Sequence, residues 1–295
     1  MPRRLVLLLL LASGCADDPP VDVRTRLATV GKAYDIEILA ADPTFPVRVT
    51  HGVIDGKPAR VAALERYVPL FAEEFVLYPR SIVKRARLRR IVLCEGLSFA
   101  GGLRGAIPDW ENDTLYVDVQ RGAWDRTYSC KVLHHEIFHM IDYRDDGCVY
   151  DDAAWVALNP KGFKYGAGGA SAQESAQTSL LTNRYPGFLN HYSTTGVEED
   201  KAEMFANMVV DPAYVEGRAK NDPVVKAKAK RMRELLAAFC PEMDARFWEG
   251  VRRVKRRRRI AARPLKCSAG AGSDGPHADY LEHFRKDGAQ VVVDR

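Results

Sequence analysis

His134-His135-Glu136-Ile137-Phe138-His139 is the stretch around which the chain is organised. It contains the pattern HExxH, in which His135 and His139 are four residues apart. On a helix such residues lie on one face, with Cβ atoms about 5–6 Å apart. Two imidazoles so placed reach one tetrahedral Zn²⁺ at about 2.0–2.1 Å. Glu136 lies beside them, where a base that deprotonates metal-bound water is needed. The alternative is a helix whose histidines are unrelated core or surface residues, so a third ligand decides the interpretation.

Two places in the sequence can supply that ligand. Asp145 follows His139 at the offset used by metzincins, but the glycine that those proteins need midway is replaced by Asp142. We expect both aspartates to end the helix and to face solvent. Glu199 and Glu203 share a face of a second predicted helix, and one carboxylate can bind the metal while the other accepts the second N–H of a ligating histidine. Acids near a helix start are also favoured by the helix dipole alone.

The segment that contains these glutamates resembles a known family. Tyr192-x6-Glu199-Asp200-x-Ala202-Glu203-x-Phe205-Ala206, downstream of HExxH, is similar to the zinc peptidase domain of lethal-factor-type gluzincins. It is also similar to a broad set of bacterial lipoproteins regarded as zinc-binding metallopeptidases, as is Trp155-x-x-Leu158-Asn159-Pro160. The likeness covers about Leu88 to Val210, and the irregular approach Thr194–Val197 departs from it.

The resemblance implies a zincin-like α+β fold and one Zn²⁺ per chain, held by His135, His139 and Glu199. It implies that Glu136 is the general base, that Tyr192 stabilises the oxyanion, and that Glu203 orients a ligating histidine. The exchange of roles between Glu199 and Glu203 stays open. The expected activity is hydrolysis of a peptide or protein substrate. The alternative is a non-catalytic zinc-binding surface lipoprotein that acts as a binding module.

The N-terminus predicts export. Residues 1–14 have the basic start, short apolar run and small residues of a secretory signal. Ala12-Ser13-Gly14-Cys15 resembles a lipobox, which implies that Cys15 is acylated and becomes the mature N-terminus. Ala16 instead of Asp then favours the outer membrane of a bacterial envelope. Ordinary secretion is the alternative, and residues 15–30 are predicted to be a tether.

Length and composition limit the domain organisation of the chain. The 295 residues, 46% of them hydrophobic, are enough for a domain predicted at 31–250, and residues 251–295 form a basic segment and tail. The net charge of +5 is concentrated towards the C-terminus, above all in Arg252–Arg259. For an exported protein we expect a solvated helix end or contact with anionic lipids there, rather than nucleic-acid binding.

The cysteines of an exported chain are in an oxidising setting where disulfides persist. Cys130 and Cys148 flank the HExxH segment, and a bridge between them would hold its two ends. Cys130 as a metal ligand is disfavoured, because it lies off the face that carries His135 and His139.

Hydrophobic patterning predicts an α+β fold, with a small mixed sheet before the HExxH helix and a mostly helical half after it. A helix is predicted from Pro58 to Pro79, and Asp125 or Thr127 is predicted to cap the HExxH helix. The Gly-rich stretch Leu97–Gly105 lacks the spacing of a phosphate loop, and Asp151–Ser171 is predicted to form a lid or substrate wall. Strands are predicted at Tyr34–Leu39, Val47–Thr50, Arg90–Cys94 and Thr114–Val119, and later helices at Val197–Val210 and Pro223–Phe239.

Overall fold

The computed structural model describes residues 23–123, 125–169 and 178–256. The signal sequence predicted at 1–14, Cys15 and the tail beyond residue 256 lie outside the described residues. The strands are β1 Glu37–Leu39, β2 Val47–Val49, β3 Gly52–Pro58, β4 Arg90–Phe99, β5 Gly102–Leu103, β6 Ala106–Asp109 and β7 Thr114–Asp118. The helices are α1 Val23–Tyr34, α2 Val61–Phe75, α3 Arg80–Arg85, α4 Arg126–Asp146, α5 Ala153–Val156, α6 Val197–Val210, α7 Pro212–Asn221, α8 Pro223–Phe239 and α9 Ala245–Arg253.

The described strands form one mixed sheet. Its order is β2-β3-β4-β7-β6, and β1 and β5 also pair with β4. β4 runs parallel to β1 and to β7, and the remaining pairs are antiparallel. β6 has a neighbour on one side, so it forms an edge of the sheet next to α4. The predicted α+β class is confirmed, with the sheet before the HExxH helix and mostly helices after it.

The HExxH motif lies in the middle of α4, and both ends of this helix are determined by local sequence. The Asp125 side chain accepts hydrogen bonds from the backbone N–H groups of Thr127 and Tyr128, as an N-cap does. Gly147 ends the helix with φ 81°, a left-handed conformation that glycine adopts without strain. The helix therefore continues past Asp142, which we expected near its end.

α6 packs across α4 and is buried around almost its whole circumference. Phe138 on α4 and Phe205 on α6 pack with ring centroids 5.3 Å apart and are fully buried. α4 carries His135 and His139, and α6 carries Glu199 and Glu203. The contact between the two helices therefore brings the two halves of the predicted site together.

The first helix corrects the prediction of a tether at 15–30. α1 begins at Val23, and its residues Leu27 and Val30 are buried in the core. Val23, Leu27, Val30 and Tyr34 recur at helical spacing, which the polar residues and prolines before them obscured. The folded chain therefore begins before the predicted domain boundary at 31, and α9 extends past the boundary at 250.

The prolines of the first half also differ from the prediction. Pro58 is the last residue of β3, and Pro79 precedes α3. The helix between them, α2, spans only Val61–Phe75. The helical spacing of the apolar residues was predicted correctly, but the ends of the helix were not. Proline also occurs in strands, at positions where no backbone N–H donor is needed.

The expected Cys130–Cys148 disulfide is wrong. Both thiols are free, as are those of Cys94 and Cys240. Cys130 is in the first turns of α4 and Cys148 lies beyond its end, so the helix holds them about 25 Å apart. A disulfide needs Cα atoms within about 7 Å.

Three arginines of the basic segment lie in the described part of the chain. Arg252 pairs with Glu216 and Arg253 with Glu249, both on the surface. Arg256 instead reaches inward to Glu74, which is buried. Arg252 and Arg253 therefore agree with the expectation of a solvated helix end, and Arg256 departs from it.

No helix within the described ranges combines the length and the apolar character that crossing a bilayer requires.

Candidate metal centre

His135 and His139 occupy one face of α4, a turn apart. Both side chains are buried, and their Nε2 atoms are 3.1 Å from each other. The sequence spacing predicted that the two rings share a face, and the structure places them there. The space between the rings opens towards the N-terminal turn of α6.

Glu199, in the first turn of α6, reaches the same point. Its Oε2 atom is 2.9 Å from Nε2 of His135 and 3.6 Å from Nε2 of His139. The three side chains are buried, and their ligand atoms all lie within 4.8 Å of one another. We call His135, His139 and Glu199 the front cluster.

The chemistry of the front cluster fits a bound cation. Two imidazole nitrogens and one carboxylate oxygen are the donors that Zn²⁺ accepts when it keeps a fourth position open. Burial lowers the pKa of His135, but hydrogen bonds to Glu199 and Glu203 outweigh it and raise that pKa well above its ordinary value. Nδ1 of His139 is buried with no hydrogen-bond partner among the described residues. A cation bound by the Nε2 atoms would take the place of the proton that His135 otherwise holds.

Glu203, one turn after Glu199, has a different position. Its Oε1 atom is 3.1 Å from Nδ1 of His135, and its Oε2 accepts hydrogen bonds from Asn190 at 2.6 Å and Asn207 at 3.2 Å. A carboxylate can only accept, so Nδ1 of His135 carries the hydrogen and Nε2 faces the front cluster. The structure thus separates the two glutamates that the sequence left interchangeable.

Glu136 lines the cleft beside the two histidines. Burial raises the pKa of its carboxyl group, while the nearby charges of His135 and His139 oppose the rise. The net shift is upward, towards the range in which a carboxylate exchanges protons near neutral pH.

Tyr192 starts a short 3₁₀ turn, Tyr192–Thr194, immediately before α6. Its hydroxyl donates a hydrogen bond to Oε1 of Glu199 at 2.9 Å. Gly169 lies against the same two groups: a Cβ atom there would be 1.9 Å from Oε1 of Glu199 and 2.4 Å from the Tyr192 hydroxyl. Only glycine allows the backbone to approach this closely.

These groups lie in a cleft of about 420 Å³. The edge strand β6 and the turn after it line the cleft, as do the segment from Ala167 to Gly169 and Tyr150. Part of the predicted Asp151–Ser171 wall therefore does line the cleft. Residues 170–177 lie outside the described chain.

Two buried lysines, Lys228 on α8 and Lys201 on α6, pair with acids at the start of α6 and around it. Lys228 donates to Asp200 at 2.7 Å, and Asp200 also accepts hydrogen bonds from Trp155 and Tyr165. Asp200 is therefore a buried residue at the start of α6 that anchors Trp155 and Tyr165. Lys201 is the second lysine, and its partners are Asp142 and Asp152.

Asp142 and Asp145 differ in exposure to solvent. Asp142 is 1% exposed and lies 2.5 Å from Lys201, so the expectation that it binds solvent is wrong. Asp145 is exposed at the end of α4 and does not belong to the front cluster, which agrees with the preference for Glu199 over it.

The other side chains considered from the sequence lie elsewhere. His134 is buried on the opposite side of α4, between Tyr78 and Glu74. Cys130 is 3.4 Å from Glu74, and the ring of His191 packs near Tyr185.

Sequence reasoning missed Asn190, Asn207 and Gly169. Asn190 and Gly169 lie in irregular segments, where no period places a side chain. Asn207 lies four residues after Glu203, and that spacing was the available signal for their contact.

No protein-family profile matches the chain, and no curated protein does. Among solved structures, the chain is similar to a protein from Bacteroides caccae named "putative zinc-binding metallo-peptidase". The identity is 14%, the TM-score is 0.47, and the match covers 80% of this chain and 97% of that one. A likeness at this level does not assign a function, so the proposals below rest on the side chains of this chain.

Proposed function

We propose that this chain is a zinc-dependent metallopeptidase that holds one Zn²⁺ with His135, His139 and Glu199. The observation that carries the proposal is the convergence of three buried ligand atoms within 4.8 Å in an open cleft. A purely structural zinc site fills all four positions with protein ligands, whereas three ligands beside a free carboxylate suit a hydrolytic site.

Zn²⁺ would supply a Lewis acid there, which polarises a carbonyl and lowers the pKa of water to about 7. Glu136 is the general base: its carboxylate takes a proton from the attacking water and passes it to the nitrogen of the leaving amine. Its raised pKa makes both transfers easier near neutral pH.

Glu203 and Tyr192 support this chemistry in separate ways. Glu203 accepts the Nδ1 hydrogen of His135 and so fixes the ring with Nε2 towards the front cluster. The Tyr192 hydroxyl lies at the cleft and can turn from Glu199 to donate to an oxyanion formed on the substrate carbonyl. We propose that the open cleft along β6 takes a peptide or protein substrate, and we expect no nucleic acid as a partner.

Export and lipid anchoring remain proposals from the sequence. We propose that Cys15 is acylated after removal of 1–14 and that the protein is bound to the bacterial envelope, at the outer membrane. Labelling with a fatty acid tests this: the wild-type protein takes up label and the variant Cys15→Ala does not. An unlabelled wild-type protein in the medium would favour plain secretion.

Metal content and hydrolysis together test the peptidase. We expect protein purified without chelator to contain one zinc per chain by elemental analysis and to cleave a peptide library. Glu136→Gln keeps the zinc and loses hydrolysis by about 10²–10⁴-fold. Glu234→Gln is the matched control, since Glu234 lies on the surface and pairs only with Lys230 among the described residues.

Two results would contradict the proposal. Wild-type protein without stoichiometric zinc would disprove the proposed metal centre. Full activity in Glu136→Gln would disprove the role of Glu136 as general base. Zinc without any hydrolysis would favour the non-catalytic binding module.

A further inference from the structure

Arg104 is the only lysine or arginine among the described residues that line the cleft. Its Nη1 atom donates to the backbone carbonyl of its neighbour Leu103 at 3.1 Å, and the guanidinium forms no ion pair within the described chain. A half-buried guanidinium in an active-site cleft without a carboxylate partner has unused donors. The proposed chemistry assigns no task to it.

The backbone before Arg104 explains how the side chain reaches this position. β4 turns into β5 through Ala100 and Gly101, which have φ of 50° and 82°. A Cβ atom on Gly102 would be 2.8 Å from Nη1 of Arg104, so the guanidinium lies over a residue with no side chain. The Gly-rich stretch that lacked a phosphate-loop pattern thus makes room for Arg104 in the link between β5 and β6.

Three acids of the cleft wall are already engaged by other groups. Both carboxylate oxygens of Asp109 accept from Asn112, and Glu111 accepts from Thr50. Glu199 belongs to the front cluster. Arg104 is near enough to Glu136 for its charge to act on that carboxyl group, but too far for an ion pair. Its donors therefore remain available to a bound molecule close to Glu136.

We propose that Arg104 binds a carboxylate of the substrate next to the cleaved bond and so selects acidic substrates. This inference rests on the proposed peptidase function. A planar guanidinium binds a carboxylate through two parallel hydrogen bonds. The carboxylate belongs either to an Asp or Glu side chain or to the free C-terminus of the peptide.

Four quenched fluorescent peptides separate these two sources. They share one sequence, and they differ in Glu or Gln beside the bond that the enzyme cleaves, and in a free or amidated C-terminus. For the wild-type protein we expect the charged form of one of these two positions to raise kcat/KM by about 10–100-fold. The position at which the gain occurs identifies the source of the carboxylate.

Arg104→Gln is expected to abolish this preference while activity on the uncharged peptide stays within about threefold. Arg104→Lys keeps the charge but not the paired geometry, and it is expected to retain part of the preference. Arg246→Gln is the control, because Arg246 is exposed on α9, away from the cleft. A preference that survives in Arg104→Gln overturns the proposal. An equal loss on all four peptides also overturns it, since Arg104 would then act through Glu136.

Binding of the same peptides to metal-free protein, measured by calorimetry, gives a readout independent of hydrolysis. Tighter binding of the carboxylate forms that disappears in Arg104→Gln supports the proposal even if no peptide is cleaved, and only the peptidase function then fails. Equal binding of charged and uncharged peptides, together with no preference in hydrolysis, overturns the role of Arg104.

Discussion

Two adjacent histidines on α4, His134 and His135, belong to two buried polar clusters that differ in their hydrogen bonding. His134 accepts and donates within what we call the rear cluster: Nδ1 is 2.6 Å from the Tyr78 hydroxyl and Nε2 is 3.0 Å from Glu74. Arg256 closes this cluster with hydrogen bonds of 2.9 and 2.6 Å to the two oxygens of Glu74. His135 belongs to the front cluster, where two Nε2 atoms face each other across 3.1 Å.

Burial does not separate the two clusters, because both histidines are buried. The two clusters differ in whether their hydrogen-bonding groups have partners. In the rear cluster, each nitrogen of His134 meets a complementary side chain, so the cluster is complete as protein alone. In the front cluster, Nε2 of His135, Nε2 of His139 and Oε2 of Glu199 converge, and with neutral imidazoles these three acceptors have no cation between them to bind. A buried polar group without a partner costs about 1–3 kcal/mol, which a complete network avoids. The rear cluster is therefore complete without a ligand, whereas the front cluster has the donor set for the Zn²⁺ that we propose.

The largest expected effect is the contrast between His139→Ala and His134→Ala. His139→Ala removes one of the three proposed ligands, and we expect zinc affinity to fall on the order of a thousandfold with little loss of stability in the metal-free protein. His134→Ala leaves zinc binding intact, but it breaks a buried polar network and lowers the free energy of unfolding by about 3 kcal/mol. Competition with a chromophoric chelator and urea unfolding measure the two quantities. If the two variants lose zinc equally, the clusters are not functionally distinct.

A smaller effect on metal affinity is expected from Glu203, which contacts His135 on the ring nitrogen that faces away from the front cluster. Glu203→Gln weakens the hydrogen bond that orients His135, and loss of such a partner costs about 10–100-fold in metal affinity. Glu216→Gln is the control, because Glu216 is half-exposed and pairs with Arg252 on the surface. Chelator competition at fixed pH measures both. An affinity unchanged in Glu203→Gln would show that the ring of His135 is held by packing alone.

The sequence predicted the parts of this comparison that depend on local spacing. His135 and His139 share a face because they are four residues apart, and Glu199 and Glu203 share one for the same reason. Which glutamate meets which ring nitrogen depends on the angle and offset at which α6 crosses α4, and no local pattern encodes that geometry. The sequence therefore kept Glu199 and Glu203 as alternatives.

The errors have a common cause, which is long-range pairing of charged side chains. Asp142 looked like a helix end, yet Lys201, from another helix, makes it a buried residue. Asp200 looked like an acid that the helix dipole alone favours at a helix start, yet Lys228 lies 2.7 Å away in the core. Arg256 looked like part of a solvated run, yet it pairs with Glu74 across most of the length of the chain. Lysine, arginine and aspartate are rarely buried unless paired, so sequence composition alone assigns them to the surface.

The smallest predicted effect tests the closure of the rear cluster through pH. Burial alone would raise the pKa of Glu74, but hydrogen bonds to His134 and Arg256 lower it from 4.5 to about 2. A carboxyl group with a lowered pKa in the folded state stabilises the fold above its unfolded pKa, and this stability is lost as pH falls towards the folded pKa. Arg256→Gln should therefore destabilise the protein by about 1 kcal/mol at pH 7, and this difference should shrink between pH 4.5 and pH 2 as Glu74 becomes protonated. Arg253→Gln, whose partner Glu249 is exposed, should show almost no difference at any pH. Urea unfolding at several pH values measures both variants, and a penalty for Arg256→Gln that does not change with pH would mean that Arg256 acts by packing and not by pairing with Glu74.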